Sequence, residues 1–171
     1  KSTLDYIRDM KQRGDNLLVG LDTGFYELNK KTAGFGKGDL IIIAARPAMG
    51  KTAFALNLAS KTLSDGLGVA VFSLEMPAEQ LMLRMLAAKT SIPLQDLRVG
   101  NLNDEQWSRT SDAMQYFSDS KLFVDDEGGL TMSVLRSKLR KLKAKHKDLG
   151  LCIIDYLQIM SSSGNKDRHL E

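Results

Sequence analysis

The stretch Leu40-Ile41-Ile42-Ile43-Ala44-Ala45-Arg46-Pro47-Ala48-Met49-Gly50-Lys51-Thr52-Ala53 constrains this chain more than any other. Leu40 to Ala44 is short, apolar and β-branched, which reads as a buried strand. A loop of mostly small residues follows, and Gly50-Lys51-Thr52 then opens a segment rich in helix formers, Ala53 to Ala59. Strand, small-residue loop, Gly-Lys-Thr and helix, in that order, form the setting of a phosphate-binding loop. The free N–H groups and the positive dipole end of the helix face such a loop. The expected nucleotide-binding residues are therefore Ala45, Arg46, Pro47, Ala48, Met49, Gly50, Lys51, Thr52 and Ala53. Lys51 is expected to reach the β- and γ-phosphates, and the Thr52 hydroxyl to hold Mg²⁺. Ala45 stands where the motif usually has glycine. Alanine does not adopt positive φ cheaply, so this loop must begin with ordinary dihedrals.

Two further strands give the loop a sheet to sit on. Val69-Ala70-Val71-Phe72-Ser73 follows Gly66 and Gly68, which end the helix that runs to Ser64. A strand, helix, strand unit of this length implies a right-handed crossover and a parallel sheet, hence an α/β fold flanked by helices. Such sheets bind ligands beyond the carboxyl ends of their strands. Leu151-Cys152-Ile153-Ile154-Asp155 is the third strand, and its terminal acid has the Walker B pattern. Any buried strand can end in Asp; paired with the upstream loop, Asp155 becomes a candidate for the Mg²⁺ shell together with Thr52. Glu75 directly follows the second strand in Ser73-Leu74-Glu75-Met76. It is the candidate general base for water attacking a γ-phosphate, and Glu75 and Lys51 form the expected catalytic pair. The plainer reading of Glu75 is a carboxylate favoured by the dipole of the next helix. Arg46 and Arg84 are the only nearby candidates for an arginine finger, and neither is convincing.

The remaining segments read as scaffold. Leu4, Ile7 and Met10 recur at helical spacing before Gly14, so residues 1–20 are expected to be an appendage with a short amphipathic helix ahead of a core over 21–171. A short helix is marginal alone, so its apolar stripe packs either on its own domain or on a neighbouring subunit. Asp22-Thr23-Gly24 is a turn. Pro77 is expected in the first turn of a helix to Thr90, with Leu81, Met82, Met85, Leu86 and Ala88 as its apolar face. Ile92-Pro93 breaks the chain, and Asn103-Asp104-Glu105-Gln106 is a capping box for a helix over 103–118 carrying Trp107, Met114 and Phe117. Lys121 to Asp125 is a short strand, and Thr131 caps a helix over 132–147 dense in Lys and Arg. Without interleaved aromatics, that basic face reads as a solvated surface rather than a nucleic-acid stripe. Ser161 to Arg168 is a polar loop at the ligand-binding edge of the sheet.

Composition narrows the setting. The 171 residues are 43% hydrophobic, which suits one domain with a core. No apolar run approaches a membrane span, and the first residues do not resemble a signal peptide. One cysteine, Cys152, excludes an internal disulfide and favours a reducing, cytoplasmic compartment. A net charge of +3 leaves a nucleic-acid partner open without requiring one.

Five stretches together carry a family resemblance. Thr23 to Asn29, Gly38-Asp39-Leu40-Ile41, Ala44 to Thr52, Ser73-Leu74-Glu75-Met76 and Ile153-Ile154-Asp155-Tyr156-Leu157-Gln158 resemble, in order and spacing, the bacterial replicative DNA helicases of the DnaB type. The Ala-Arg-Pro-x-Met-Gly-Lys-Thr loop looks like that family's own variant, so Ala45 supports the assignment. The resemblance implies a RecA-like P-loop core, a hexameric ring of identical subunits with ATP and Mg²⁺ between them, and 5′-to-3′ movement on single-stranded DNA at the replication fork. It implies contacts with primase and a helicase loader, and a linker helix docked on the adjacent subunit. The loop from Met160 to Arg168 resembles the start of a DNA-facing loop, with Lys166 and Arg168 as its expected phosphate contacts. The family's amino-terminal domain and the later strands of its motor, with the arginine finger and polar sensor, are not matched, so the core is expected to be incomplete toward its C-terminus, and helicase activity of the isolated piece is not assumed. The competing readings are a RecA-like recombinase-type ATPase, a non-catalytic nucleotide-binding module and, last, a small-molecule kinase, for which no second substrate site is visible.

Overall fold

A computed structural model describes residues 2–12, 18–46 and 48–155. The chain divides into two compact units, Lys1–Ile43 and Ala44–Glu171.

In the first unit, helix α1 spans Thr3–Gln12 and helix α2 spans Tyr26–Thr32. Leu4 and Ile7 of α1 are exposed. Ahead of α2 the Asp22-Thr23-Gly24 turn is held by its own side chains. Asp22 Oδ1 accepts from the Gly24 amide at 2.8 Å and from Asn29 Nδ2 at 2.6 Å, and Thr23 Oγ1 donates to Asn29 Oδ1 at 2.6 Å. Leu21 and Phe35 form an antiparallel bridge. Gly20 lets the two segments approach, because a Cβ there would lie 2.3 Å from the Phe35 carbonyl oxygen.

The second unit is built on strands β1 (Gly68–Ser73), β2 (Leu122–Asp125) and β3 (Leu149–Asp155), in the order β2-β1-β3 and all parallel. Helices α3 (Lys51–Ser64), α4 (Ala78–Thr90), α5 (Leu94–Val99), α6 (Asp104–Asp119) and α7 (Met132–Lys145) complete it. Strand β1 is central and every one of its residues is buried. Its alternation sorts the core into two layers. Val69 and Val71 pack with Leu56, Ala59 and Leu63 of α3, Leu81, Met85 and Leu86 of α4, and Ala113 and Phe117 of α6. Ala70 and Phe72, on the other face, meet Leu130, Leu135, Leu139 and Leu142 in and around α7. Burial on both faces is why β1 reads as an unbroken apolar run. Because the strands are parallel, Ser73, Asp125 and Asp155 all end at one edge.

Several expectations need correction. Leu40 to Ala44 forms no strand and, among the described residues, pairs with none; Leu40 and Ile42 are 84% and 76% exposed. An apolar β-branched run becomes a buried strand only when a ladder and a covering layer meet it, and among the described residues this one has no ladder. Pro77 precedes α4 as its N-cap, with an extended φ of -57° and ψ of 146°, instead of lying in the first turn. Ala88 is exposed, as is Arg84. In α6 the capping box is present in full, but Trp107 and Met114 lie on the solvent side while Ala113 and Phe117 enter the core. The short helix α5 was not anticipated. The basic α7 faces solvent along most of its length; Lys138 bridges Asp125 and Glu127, and Lys143 Nζ donates to the carbonyls of Lys147 and Leu149. The expected polar loop from Ser161 to Arg168, with Lys166 and Arg168, lies outside the described residues, as do Pro47 and Met10's side chain.

Candidate nucleotide site

Gly50 starts helix α3 from the left-handed region, with φ 86° and ψ 14°. Glycine occupies that region without a Cβ penalty. No side chain caps the helix and its first turn holds no acidic residue. Several backbone N–H groups at this end therefore lack an intrahelical acceptor, and the positive end of the dipole is uncompensated. That is the electrostatic condition for holding phosphate. The loop before it is exposed at Ala45, Arg46, Ala48 and Met49. Ala45 keeps a negative φ, as its methyl group demands, and the left-handed turn falls instead at Ala48, with φ 62°. A non-glycine residue there carries a strain of about 1–2 kcal/mol, a local feature of the loop's shape.

The helix start and the end of β3 meet. Lys51 Nζ lies 3.2 Å from Asp155 Oδ1, and Thr52 Oγ1 donates to Asp155 Oδ2 at 3.4 Å. Asp155 is mostly buried, its side chain 14% exposed, while Lys51 is more open at 30%. Two residues from the loop and the terminal acid of β3 thus converge on one point. The Thr52 hydroxyl and the Asp155 carboxylate are hard oxygen donors side by side, the chemistry Mg²⁺ prefers when most of its remaining ligands are water and phosphate. Two protein oxygen donors leave most of the shell to water and phosphate, so the donor set fits an ion shared with a nucleotide.

Glu75 lies on the same edge, in a segment that the sheet holds. Ser73 is in register with Asp155, and the ladder continues one residue further, where the Leu74 amide donates to the Asp155 carbonyl at 2.7 Å. Ser73 Oγ donates to the Met76 carbonyl at 2.6 Å. Between these ties the Glu75 side chain is exposed and makes no hydrogen bond or ion pair among the described residues. Its carboxylate is thus available to a water. Arg46 and Arg84 are exposed, and neither guanidinium pairs with the Lys51–Asp155 cluster.

One contact at this edge escaped the sequence. Asp126 Oδ2 accepts from the Ala78 amide at 2.8 Å, across 48 positions of chain. Asp125 next to it receives Lys138 Nζ at 2.6 Å and accepts the Glu127 amide at 3.0 Å. Burial pushes the Asp125 carboxyl up, but the Lys138 hydrogen bond, the Glu127 amide and the Lys138 charge together hold it below its ordinary value.

Residues 20–171 match the family described as the DnaB-like helicase C-terminal domain. The replicative DNA helicase DnaB of Helicobacter pylori is 46% identical over 170 residues, covering 99% of this chain and 35% of that protein. The replicative DNA helicase DnaC of Bacillus subtilis is 49% identical over 165 residues, covering 95% of this chain and 36% of its own length. The chain thus spans about a third of the length of these relatives. Among solved structures, an ATPase domain superposes with a TM-score of 0.88 at 30% identity, over 96% of this chain and 59% of that one. A DnaB-like replicative helicase, studied with its interactions with primase, superposes at 0.86 and 30% identity, over 96% of this chain and 40% of that one. Both neighbours share the parallel sheet with helices on its faces.

Proposed function

This chain belongs to the DnaB-like helicase C-terminal domain family, and we propose that it is the nucleotide-hydrolysing part of a replicative helicase motor. ATP binds over the start of α3. Backbone N–H groups and Lys51 hold its phosphates, and the contacts run from Ala45 to Ala53. The observation that carries this reading is the convergence of Lys51 and Thr52 on Asp155 at the carboxyl edge of the sheet. When nucleotide binds, Lys51 exchanges its Asp155 partner for phosphate, which frees the carboxylate. Thr52 and Asp155 would hold Mg²⁺ there, whose charge would offset that of the phosphates. Glu75 takes a proton from the attacking water, so that hydroxide oxygen bonds to the γ-phosphorus as the bond to the bridging oxygen of ADP breaks.

The wider role follows from the family. Residues 1–20 act as a linker segment and 21–171 as the ATPase core, in keeping with a family match that starts at residue 20 and with the exposed Leu4 and Ile7. The motor assembles as a ring of six, moves on single-stranded DNA in the cytoplasm, and works with primase and a loader. Lys166 and Arg168 contact the DNA backbone. No helix among the described residues is long and apolar enough to cross a membrane. A recombinase-type ATPase is disfavoured by relatives that are replicative helicases over nearly the whole chain. The test is ATP hydrolysis by the intact protein, with and without single-stranded DNA, for the wild type and Glu75→Gln. DNA-stimulated turnover that falls by about a hundredfold or more in the variant, with ATP still bound, supports a motor with Glu75 as base. Equal turnover removes Glu75 from that role, and binding without any turnover in the wild type favours a non-catalytic module.

A further inference from the structure

Glu75 lies in a short bridge, Leu74 to Pro77, between β1 and α4. The near end is tied to β3 through the Leu74 amide, and the Ser73 hydroxyl ties the middle at Met76. The far end depends on α4. That helix begins after Pro77, which has no side-chain donor or acceptor, and its N-cap makes no side-chain hydrogen bond. The Ala78 amide is one of the free donors of the first turn. Its acceptor comes from another strand's loop: Asp126 Oδ2, at 2.8 Å. The loop that offers Asp126 is itself held. Asp125 Oδ1 accepts the Glu127 amide, and Lys138 of α7 binds the carboxylates of both Asp125 and Glu127. A chain of contacts therefore runs from α7 through the β2 loop to the start of α4, three residues after Glu75.

We infer that Asp126 is a positioning residue for Glu75. By capping α4 from outside, it fixes the far end of the bridge and holds the Glu75 carboxylate at the nucleotide edge. Asp126 touches neither nucleotide nor water; it acts through the Ala78 amide. The inference rests on Glu75 being the general base.

Single-turnover ATP hydrolysis and equilibrium binding of a fluorescent ATP analogue, both on the intact protein with single-stranded DNA, test it. Asp126→Ala should slow hydrolysis by about 10- to 100-fold, the scale of a small misplacement of a catalytic group, with analogue affinity within about twofold. Asp126→Asn keeps an acceptor oxygen and should restore most of the rate. Ala78→Pro breaks the same hydrogen bond from the donor side. Proline suits the first helical position, and Pro77 already has the extended backbone required before a proline. This variant should slow hydrolysis like Asp126→Ala, and it carries the test if Asp126→Ala fails to fold. In a Glu75→Gln background, Asp126→Ala should change the residual rate by less than about twofold. Wild-type rates in Asp126→Ala or Ala78→Pro overturn the inference while leaving Glu75 as base. So does an Asp126→Ala effect of equal size in the Glu75→Gln background, which marks general loosening of the fold. Full activity of Glu75→Gln alone sinks the base assignment, and the inference with it.

Discussion

Two apolar runs in this chain look alike in sequence and differ in the structure. Leu40-Ile41-Ile42-Ile43 and Val69-Ala70-Val71-Phe72 are both short and apolar. Every residue of the second is buried, whereas Leu40 and Ile42 of the first are 84% and 76% exposed. Composition does not separate them; neighbours do. Strand β1 has a parallel ladder on each side, α3, α4 and α6 over one face and α7 over the other. Among the described residues the Leu40 run has no ladder. A β-branched stretch thus records a capacity to be a strand, and the pairing decides whether the capacity is used.

The comparison breaks most visibly with a charge. Val71→Asp buries an unpaired carboxylate and should cost more than about 4 kcal/mol, enough to abolish a cooperative denaturation curve. Ile42→Asp should leave that curve within about 0.5 kcal/mol of wild type, since its carboxylate stays in water. A gentler pair sharpens the contrast. Phe72→Ala is expected to cost about 3–5 kcal/mol through lost burial and a residual cavity. Ile42→Ala should again stay within about 0.5 kcal/mol. Equal costs at the two sites would mean that the Leu40 run is packed in solution.

The smallest effect concerns the Asp125–Lys138 pair that steadies the edge beside β1. Its Asp125 carboxyl is held below 3.8, and the Lys138 ammonium is held above 10.5 by its hydrogen bonds to Asp125 and Glu127. A lowered carboxyl stabilises the fold above its unfolded value, and that contribution is lost as pH falls through the folded one. A raised ammonium stabilises at all pH below its unfolded value and is lost only as pH rises through the folded one. Lys138→Met should therefore cost about 0.5–1 kcal/mol at pH 7, and the gap to wild type should close as pH falls through the lowered Asp125 value. Denaturant titrations of both proteins at several pH values measure it, and a gap that stays constant into acid would place the cost in packing.

What was legible in the sequence was local. The Asn103–Gln106 capping box, the Thr131 cap and the apolar periods of β1 and β3 each depend on residues within a turn or two of one another, and the structure has them. The approach of Thr52 to Asp155 was also accessible, because a loop opening a helix and an acid ending a parallel strand share one sheet edge by topology. The failures were non-local or short. Helix α5 has six residues between Pro93 and Gly100, too few to show a period. The outward placement of Trp107 depends on which face of α6 meets α4. The Asp126 cap joins positions 48 apart with no motif at either end. Leu40 to Ala44 misleads because its β-branched composition suits a strand whether or not a partner pairs with it.

We propose that the start of α3 and Asp155 form one nucleotide site. It is tested most directly by equilibrium binding of a fluorescent ATP analogue, with Mg²⁺, to the intact wild-type protein and to Lys51→Ala. Removing the ammonium leaves phosphate without its main counter-charge, so binding should weaken by tenfold or more, roughly the 1.4 kcal/mol or more expected of a charge-assisted contact. Undiminished affinity in Lys51→Ala would contradict the account and put the nucleotide elsewhere on the molecule.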